Sequence, residues 1–472
     1  MNRRRFLAGS IGVAALSNRL TAAADAKAQA IRIGVNTGQP LGRIAQDFMG
    51  LGYEISSVAT PGLLSAKNRT YVQLVKTLGT HGVIRIGGNT SDYASFSQHG
   101  KAVAAPKGTV LNGESLQELG SFLDATGWKL IWGLNLGGGS EQNVVAEAQA
   151  VAAAAKEKLL AFEIGNEPDL FGHGGAHRPK NYSYDDYLRE YRRYKAAIRA
   201  KLPSAPFAGP DAATATDWVT RFAADEGNDL KLLTHHYYRE CAGPGSTLEK
   251  LLRPDPKLTP ELEKLRAASA SCHVPYRICE TNSFCGGGKP GVSDTFGAAL
   301  WALDYMLTLA WADAAGINME AGVNQLGFVS SYSPIGDDGH GHYSAAPEYC
   351  GMLAFAQACR GQRLPATYDA SGVNLTAYAV LQDPRRIVIT IINKDEANDA
   401  NVSVTADGQF RNASALRLNA PSLQNKDGVR LGGSTVAADG TWAPAHVEHL
   451  QVNGGECKIA VPAGSAAIVT LG

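Results

Sequence analysis

Two glutamates each close an apolar, strand-like run. Glu163-Ile164-Gly165-Asn166-Glu167-Pro168 ends a stretch that begins at Leu160, and Tyr276-Arg277-Ile278-Cys279-Glu280-Thr281-Asn282 ends another. Hydrolysis of a glycosidic bond needs a protonated acid at the leaving oxygen and an ionised partner at the anomeric carbon. Two neighbouring glutamates can divide those roles, because the charge of one raises the pKa of the other. Asn166-Glu167-Pro168 alone also reads as a strand-ending turn with a solvated carboxylate. A second glutamate at the end of a second strand favours the catalytic reading.

Other chemistry-bearing residues have competing readings. Gly286-Gly287-Gly288 reads as a flexible loop or as half of a phosphate cradle, since Lys289 follows. Pro290 then stands where a phosphate loop needs serine or threonine, so Lys289 is read as a solvated loop lysine. His235-His236 suggests a metal pair, but adjacent strand residues face opposite sides. Both histidines are expected to serve the wall, and no metal site is expected. Cys279 is expected to point outwards into the packed layer. Glu320 ends the last strand and is read either as a pocket group or as a rim charge.

The elements that position these residues alternate along the chain. Strand-like runs fall at Met49–Glu54, Val83–Ile86, Lys129–Leu134, Leu160–Ile164, Pro206–Gly209, Leu232–Tyr238, Tyr276–Cys279 and Gly316–Met319, with helical patterns between them. Eight such alternations predict a (β/α)8 TIM barrel over 46–363, whose chemistry sits at the C-terminal strand ends. Glu167 and Glu280 then end the fourth and seventh strands. A doubly wound sheet is the alternative, but the glycine-rich loop after a first strand is missing. After Leu364 the chain becomes alternating and β-branched, broken by Gly, Asn, Asp and Pro. This predicts a C-terminal antiparallel β-sandwich of residues 31–45 plus 364–472, with Ile31–Val35 completing it.

Bulk properties exclude several classes. Lys+Arg and Asp+Glu are both 44 and cancel, which argues against an electrostatically driven nucleic-acid or membrane binder. Seven cysteines, none in a C-x-x-C pair, rule out a disulfide scaffold and a clustered-cysteine cofactor. Residues 1–30 read as a twin-arginine signal peptide: Arg3-Arg4-Arg5-Phe6-Leu7, a short apolar run and Ala28-Gln29-Ala30 as a cleavage motif. The expected destination is the periplasm or the exterior, where disulfides form. An odd cysteine count leaves at least one thiol free if only internal bridges form.

Val83–Asn89, Ile164–Pro168, His235–Tyr238, Glu280–Ser283 with Gly286–Gly288, and Val292–Phe296 occur in this order. Together with Pro347-Glu348-Tyr349 they resemble glycoside hydrolase family 79, the β-glucuronidase and heparanase group of the Asn-Glu-Pro barrel clan. The resemblance implies Glu167 as acid/base and Glu280 as nucleophile of a retaining mechanism. It places Asn166 at the sugar 2-hydroxyl, Tyr237 as donor to Glu280, and Glu54 and Asn89 on sugar hydroxyls. The backbone N–H groups of Gly286 and Gly287, with Tyr332, would hold the uronate carboxylate. Cys285 stands where relatives often have tyrosine. The expected protein is a cofactor-free, exo-acting β-glucuronidase whose partner is a carbohydrate substrate, not nucleic acid and not a membrane once the signal is removed. Alternatives are an endo-acting hydrolase of uronic-acid polysaccharide and a neutral-sugar β-glycosidase of the same clan. Other classes are a carbohydrate-binding protein with a dead barrel and a cofactor-loaded redox protein.

Overall fold

The computed structural model describes residues 29–173, 176–322, 330–408 and 410–472. The twin-arginine reading falls on residues 1–28, outside the described residues, and on the first two residues of a strand, Gln29–Val35.

Eight parallel strands follow: β1 (Gly50–Glu54), β2 (Val83–Gly87), β3 (Lys129–Leu134), β4 (Leu159–Ile164), β5 (Ala208–Ala212), β6 (Leu232–Tyr238), β7 (Tyr276–Asn282) and β8 (Gly316–Glu320). They pair in the order β4-β3-β2-β1-β8-β7-β6-β5. A bridge from Phe162 to Phe207 and a 2.9 Å bond from Phe162 N to Pro206 O join the two ends into a barrel. Strand β5 begins two residues later than the apolar run predicts, as Pro206 has no N–H for a ladder.

The helices after the strands are α1 (Arg69–Leu78), α2 (Gly113–Thr126), α3 (Glu141–Ala155), α4 (Tyr184–Lys201), α5 (Thr216–Glu226), α6 (Leu258–Cys272), α7 (Phe296–Trp311) and α8 (Pro347–Ala358). Helix α1 shows why they form. Asn68 caps it by accepting from Tyr71 N, and Tyr71, Leu74, Val75 and Leu78 line its buried face. Helix α7 has no polar face of this kind, because a second layer covers it. Its first turn is held by Phe296 N to Asn425 O and Gly297 N to Leu423 O.

That layer is a sandwich of two sheets. One runs Ala366–Tyr368, Gln29–Val35, Ala400–Ala406, Glu456–Val461, Val452–Asn453; the other contains Leu375–Asp383, Arg386–Asn393, Ser465–Leu471 and Ala413–Asn419 as neighbours. Ile31, Ile33 and Val35 alternate into the apolar layer between them, against Val402, Val404, Ile389 and Val469. Among the described residues, no helix is long and apolar enough to cross a membrane.

Candidate active site

Glu167 and Glu280 meet at the mouth of the barrel. After β4 the chain turns sharply, with Gly165 at φ +86° and Glu167 itself at φ +52°. Glu167 N donates to Asp211 O at 3.0 Å, which fixes that turn. Glu280 projects from β7, and one oxygen of each carboxyl lies within 4.8 Å of the other and of a His236 ring nitrogen. Glu280 Oε1 accepts from the Tyr238 hydroxyl at 3.1 Å, and Oε2 accepts from Arg85 Nη1 at 2.7 Å.

Arg85 organises the floor of the site. It is fully buried, with Nε 3.2 Å from Glu163 Oε2 and Nη2 2.7 Å from Asp211 Oδ2 and 2.9 Å from Asn166 Oδ1. Gly87 leaves room for it, since a Cβ there would lie 2.5 Å from the guanidinium carbon. His236 Nδ1 lies 3.0 Å from Glu167 Oε1, and Nε2 lies 2.8 Å from Asp211 Oδ1. Burial opposes charge on this ring, but Asp211 and Glu280 override it and hold its pKa well above the ordinary value. Doubly protonated, it donates to Glu167 Oε1 and Asp211 Oδ1. Burial raises the Glu167 carboxyl; His236 opposes that shift and the Glu280 charge adds to it. Asp211 goes the other way: burial works against its charge, yet Arg85 and His236 lower its pKa. Among the described residues, two sets of groups have metal-ligand spacing, Asp211–His236–Cys279 and Glu167–His236–Glu280. Arg85 and protonated His236 already supply cationic partners to both.

Several sequence expectations need correction. Tyr237 does not reach Glu280; its hydroxyl donates to Asp255 at 2.7 Å and its ring stacks on Tyr305. Strand alternation sends Tyr237 outwards and brings Tyr238 and His236 inwards, so Tyr238 is the donor. His236 is a site residue, whereas His235 stays in the wall. Cys279 points inwards, its thiol donating to Asp211 Oδ1 at 2.8 Å. It is an extra residue in a bulge, because His235 pairs with Ile278 and His236 with Glu280.

The remaining candidates fall as follows. Asn166 is buried beside Arg85, and Asp92 Oδ2 accepts from its N–H at 3.0 Å. Glu54 accepts from Asn89 N at 3.1 Å and Thr90 N at 2.7 Å, so it anchors the loop whose Asn89 side chain is exposed. Burial pushes its carboxyl up to about 7. Glu320 is buried rather than on the rim, with Oε2 unpaired among the described residues. Burial, Glu280 and Glu54 together raise its pKa. Tyr332 is buried and stacks over Tyr238 at 6.4 Å between centroids. Gly286 and Gly287 have φ of +77° and +88°, and neither N–H donates to another described residue. Lys289 lies half-buried in the same loop. Cys285, just before the glycines, is disulfide-bonded to Cys241.

Arg85, Asp211, His236 and Tyr238 are the site residues that sequence reasoning missed. The available signal was a charged residue inside a strand otherwise buried on both faces, as in Val83-Ile84-Arg85-Ile86.

The model of the glycosyl hydrolase family 79 C-terminal beta domain matches residues 377–468. A β-glucuronidase of Aspergillus niger is 27% identical over 392 residues, 74% of this chain and 71% of that protein. One of Neurospora crassa is 28% identical over 374 residues, covering 69% and 66% respectively. In structure, a 4-O-α-L-rhamnosyl-β-D-glucuronidase of Fusarium oxysporum superposes with TM-score 0.75 at 22% identity, over 93% of this chain and all of that one. A family 51 arabinofuranosidase of Xanthomonas axonopodis superposes with TM-score 0.69 at 17% identity, over 94% and 99%. These last two likenesses speak for the barrel-plus-sandwich fold. The C-terminal domain match, the β-glucuronidase relatives and the shared fold together support an assignment to glycoside hydrolase family 79.

Proposed function

We propose that this glycoside hydrolase is a retaining, exo-acting β-glucuronidase that releases terminal β-linked glucuronic acid. The observation that carries the reading is the approach of the two carboxyls, with oxygens of Glu167 and Glu280 within 4.8 Å. Retaining glycosidases hold their carboxyl groups roughly 5–5.5 Å apart, whereas inverting ones leave about 6.5–9.5 Å for a water.

In this reading, a Glu280 oxygen attacks the anomeric carbon as the glycosidic bond breaks. Glu167, its pKa raised by burial, gives its proton to the leaving oxygen. Glu167 then takes a proton from water, whose oxygen attacks the same carbon and frees Glu280. Arg85 and Tyr238 orient Glu280, and Asn166 faces the 2-hydroxyl of the sugar. Glu54 and Asn89 serve the other hydroxyls. The N–H groups of Gly286 and Gly287, which donate to no other described residue, bind the uronate carboxylate with Tyr332. The names of the two sequence relatives and the Rha-GlcA complex of the Fusarium enzyme support the uronate. The arginine-led N-terminus supports export by the twin-arginine route to the periplasm or beyond.

Aryl β-glucuronide, glucoside, galactoside and xyloside assayed side by side test the sugar, and equal kcat/KM on glucuronide and glucoside would refute it. Glu280→Ala is expected to abolish turnover, with azide restoring it at inverted stereochemistry. Glu167→Ala is expected to keep activity on substrates with very good leaving groups. A Glu280→Ala enzyme of near-normal rate would remove the nucleophile assignment.

A further inference from the structure

The loops that follow β6 and β7 are joined at one place. Cys241 and Cys285 form a disulfide across 44 residues of sequence. Two backbone bonds flank it, Cys285 N to Glu240 O at 2.9 Å and Ala242 N to Cys285 O at 3.1 Å. The next two residues are Gly286 and Gly287, both at positive φ and without side chains to hold them. On the far side, Ser331 secures the loop through two bonds to Gly287 O, from its N at 2.7 Å and its Oγ at 2.9 Å. The glycine pair is therefore fixed by a covalent link before it and a serine after it. Glycine has the largest backbone freedom to lose, so a pair used as donors needs outside anchoring to stay aimed.

The bond is also within reach of solvent. Cys241 is exposed and Cys285 is partly exposed, whereas four of the five free cysteines, Cys279, Cys350, Cys359 and Cys457, are buried.

We propose that the Cys241–Cys285 disulfide is a redox-sensitive positioning element for uronate recognition, holding the Gly286–Gly287 N–H groups in place when oxidised and releasing them when reduced. This rests on the reading of those glycines as the carboxylate site. Opening the bond consumes two electrons and two protons from a dithiol, which leaves as its own disulfide, and yields two thiols. A chain that folds in a reducing compartment before export closes this bond only after transit, so its full selectivity appears only outside.

The experiment treats the purified full-length enzyme with a dithiol and follows thiols and kinetics together. Alkylation under denaturing quench, read by intact mass, is expected to rise from five labelled cysteines to seven. KM for aryl β-glucuronide is expected to rise by roughly 10–100-fold, the equivalent of one charge-assisted contact. kcat is expected to change far less, residual glucoside hydrolysis to stay level, and reoxidation to restore KM. Cys241→Ser is expected to show the raised KM without reductant and to ignore reductant. Seven labelled cysteines with KM unchanged would overturn the proposal while leaving the glucuronidase reading intact. Equal losses on glucuronide and glucoside would overturn it as a general loosening of the site. A count that stays at five would show that the bond is not redox-sensitive. An oxidised enzyme with no preference for glucuronide would overturn the functional reading, and this proposal with it.

Discussion

Tyr237 and Tyr238 are adjacent phenols on one strand with opposite surroundings, and they make a sharp residue-scale test. Tyr238 donates to Glu280 Oε1, whereas Tyr237 donates to Asp255 behind the barrel wall. Tyr238→Phe is expected to lower kcat/KM on any accepted aryl glycoside by roughly 10–100-fold, with little change in melting temperature. Tyr237→Phe is expected to leave kcat/KM nearly unchanged and to cost about 1.5–3 kcal/mol of stability, the worth of a hydrogen bond to a charged group. The reverse pattern would put the wrong phenol on Glu280. The two glutamates were legible because each ends an apolar run at a position where barrels place their chemistry. Arg85 and His236 were not, because a lone charged residue in a strand does not announce whether it faces a neighbour or a helix. Their partners, Asp211 and Glu280, lie 126 and 195 residues from Arg85 along the chain. Cys285 likewise gave no sign that its partner was Cys241.

Among the elements, period-two alternation predicts strands well and fails where a strand carries an extra residue. Strands β6 and β7 slip in register at His235/His236, and β6 slips against β5 at Thr234/His235. The first slip puts Cys279 and Glu280, adjacent in sequence, on the same inner side, and the second makes Asp211 the extra residue of β5. Alternation assigns Cys279 and Glu280 opposite faces, and only the pairing reveals the bulge. The contact between barrel and sandwich is an element-scale matter too. Lys394, at the end of the Arg386–Asn393 strand, is buried, and its ammonium meets Asp304 on helix α7. Asp304 Oδ1 also accepts from Thr376 Oγ1 at 2.6 Å and the Tyr378 hydroxyl at 2.9 Å. Asp304→Ala leaves that ammonium and two hydroxyls without their carboxylate, at an expected cost of about 3–5 kcal/mol by denaturant unfolding. Asp304→Ala with Lys394→Met is expected to recover part of it. A single variant as stable as the parent would show that the two layers do not depend on this pair.

For the molecule as a whole, the ionisation of its interior sets how stability depends on pH. Burial pushes the carboxyls of Glu54, Asp92, Glu147 and Glu163 up to about 7. The folded chain holds these protons more tightly than the unfolded chain, so stability falls as pH rises from the ordinary values, 3.8 for the aspartate and 4.5 for the glutamates, through about 7. His235, which burial lowers to about 4, works the opposite way below its ordinary value of 6.5. His177, also lowered by burial, acts with it; two such groups do not offset four, and melting temperature is expected to drop between pH 5 and pH 8. Glu147 lies on α3 and accepts from Trp132 Nε1 at 2.8 Å. Glu147→Gln keeps an oxygen for that indole, and is expected to flatten part of the drop; an unaltered pH profile would exclude this carboxyl as a source. The strand Gln29–Val35 has a different consequence, one of timing. It lies parallel to Ala400–Ala406 and antiparallel to Ala366–Tyr368, so its neighbours are made about 330–370 residues later. At about 5–20 residues per second, roughly 20–70 s of synthesis separate this strand from its parallel partner. Through that interval the barrel can close while Ile31, Ile33 and Val35 wait without a sheet. The earliest described segment to leave the ribosome is thus among the last to be seated, and its docking marks the completion of the chain.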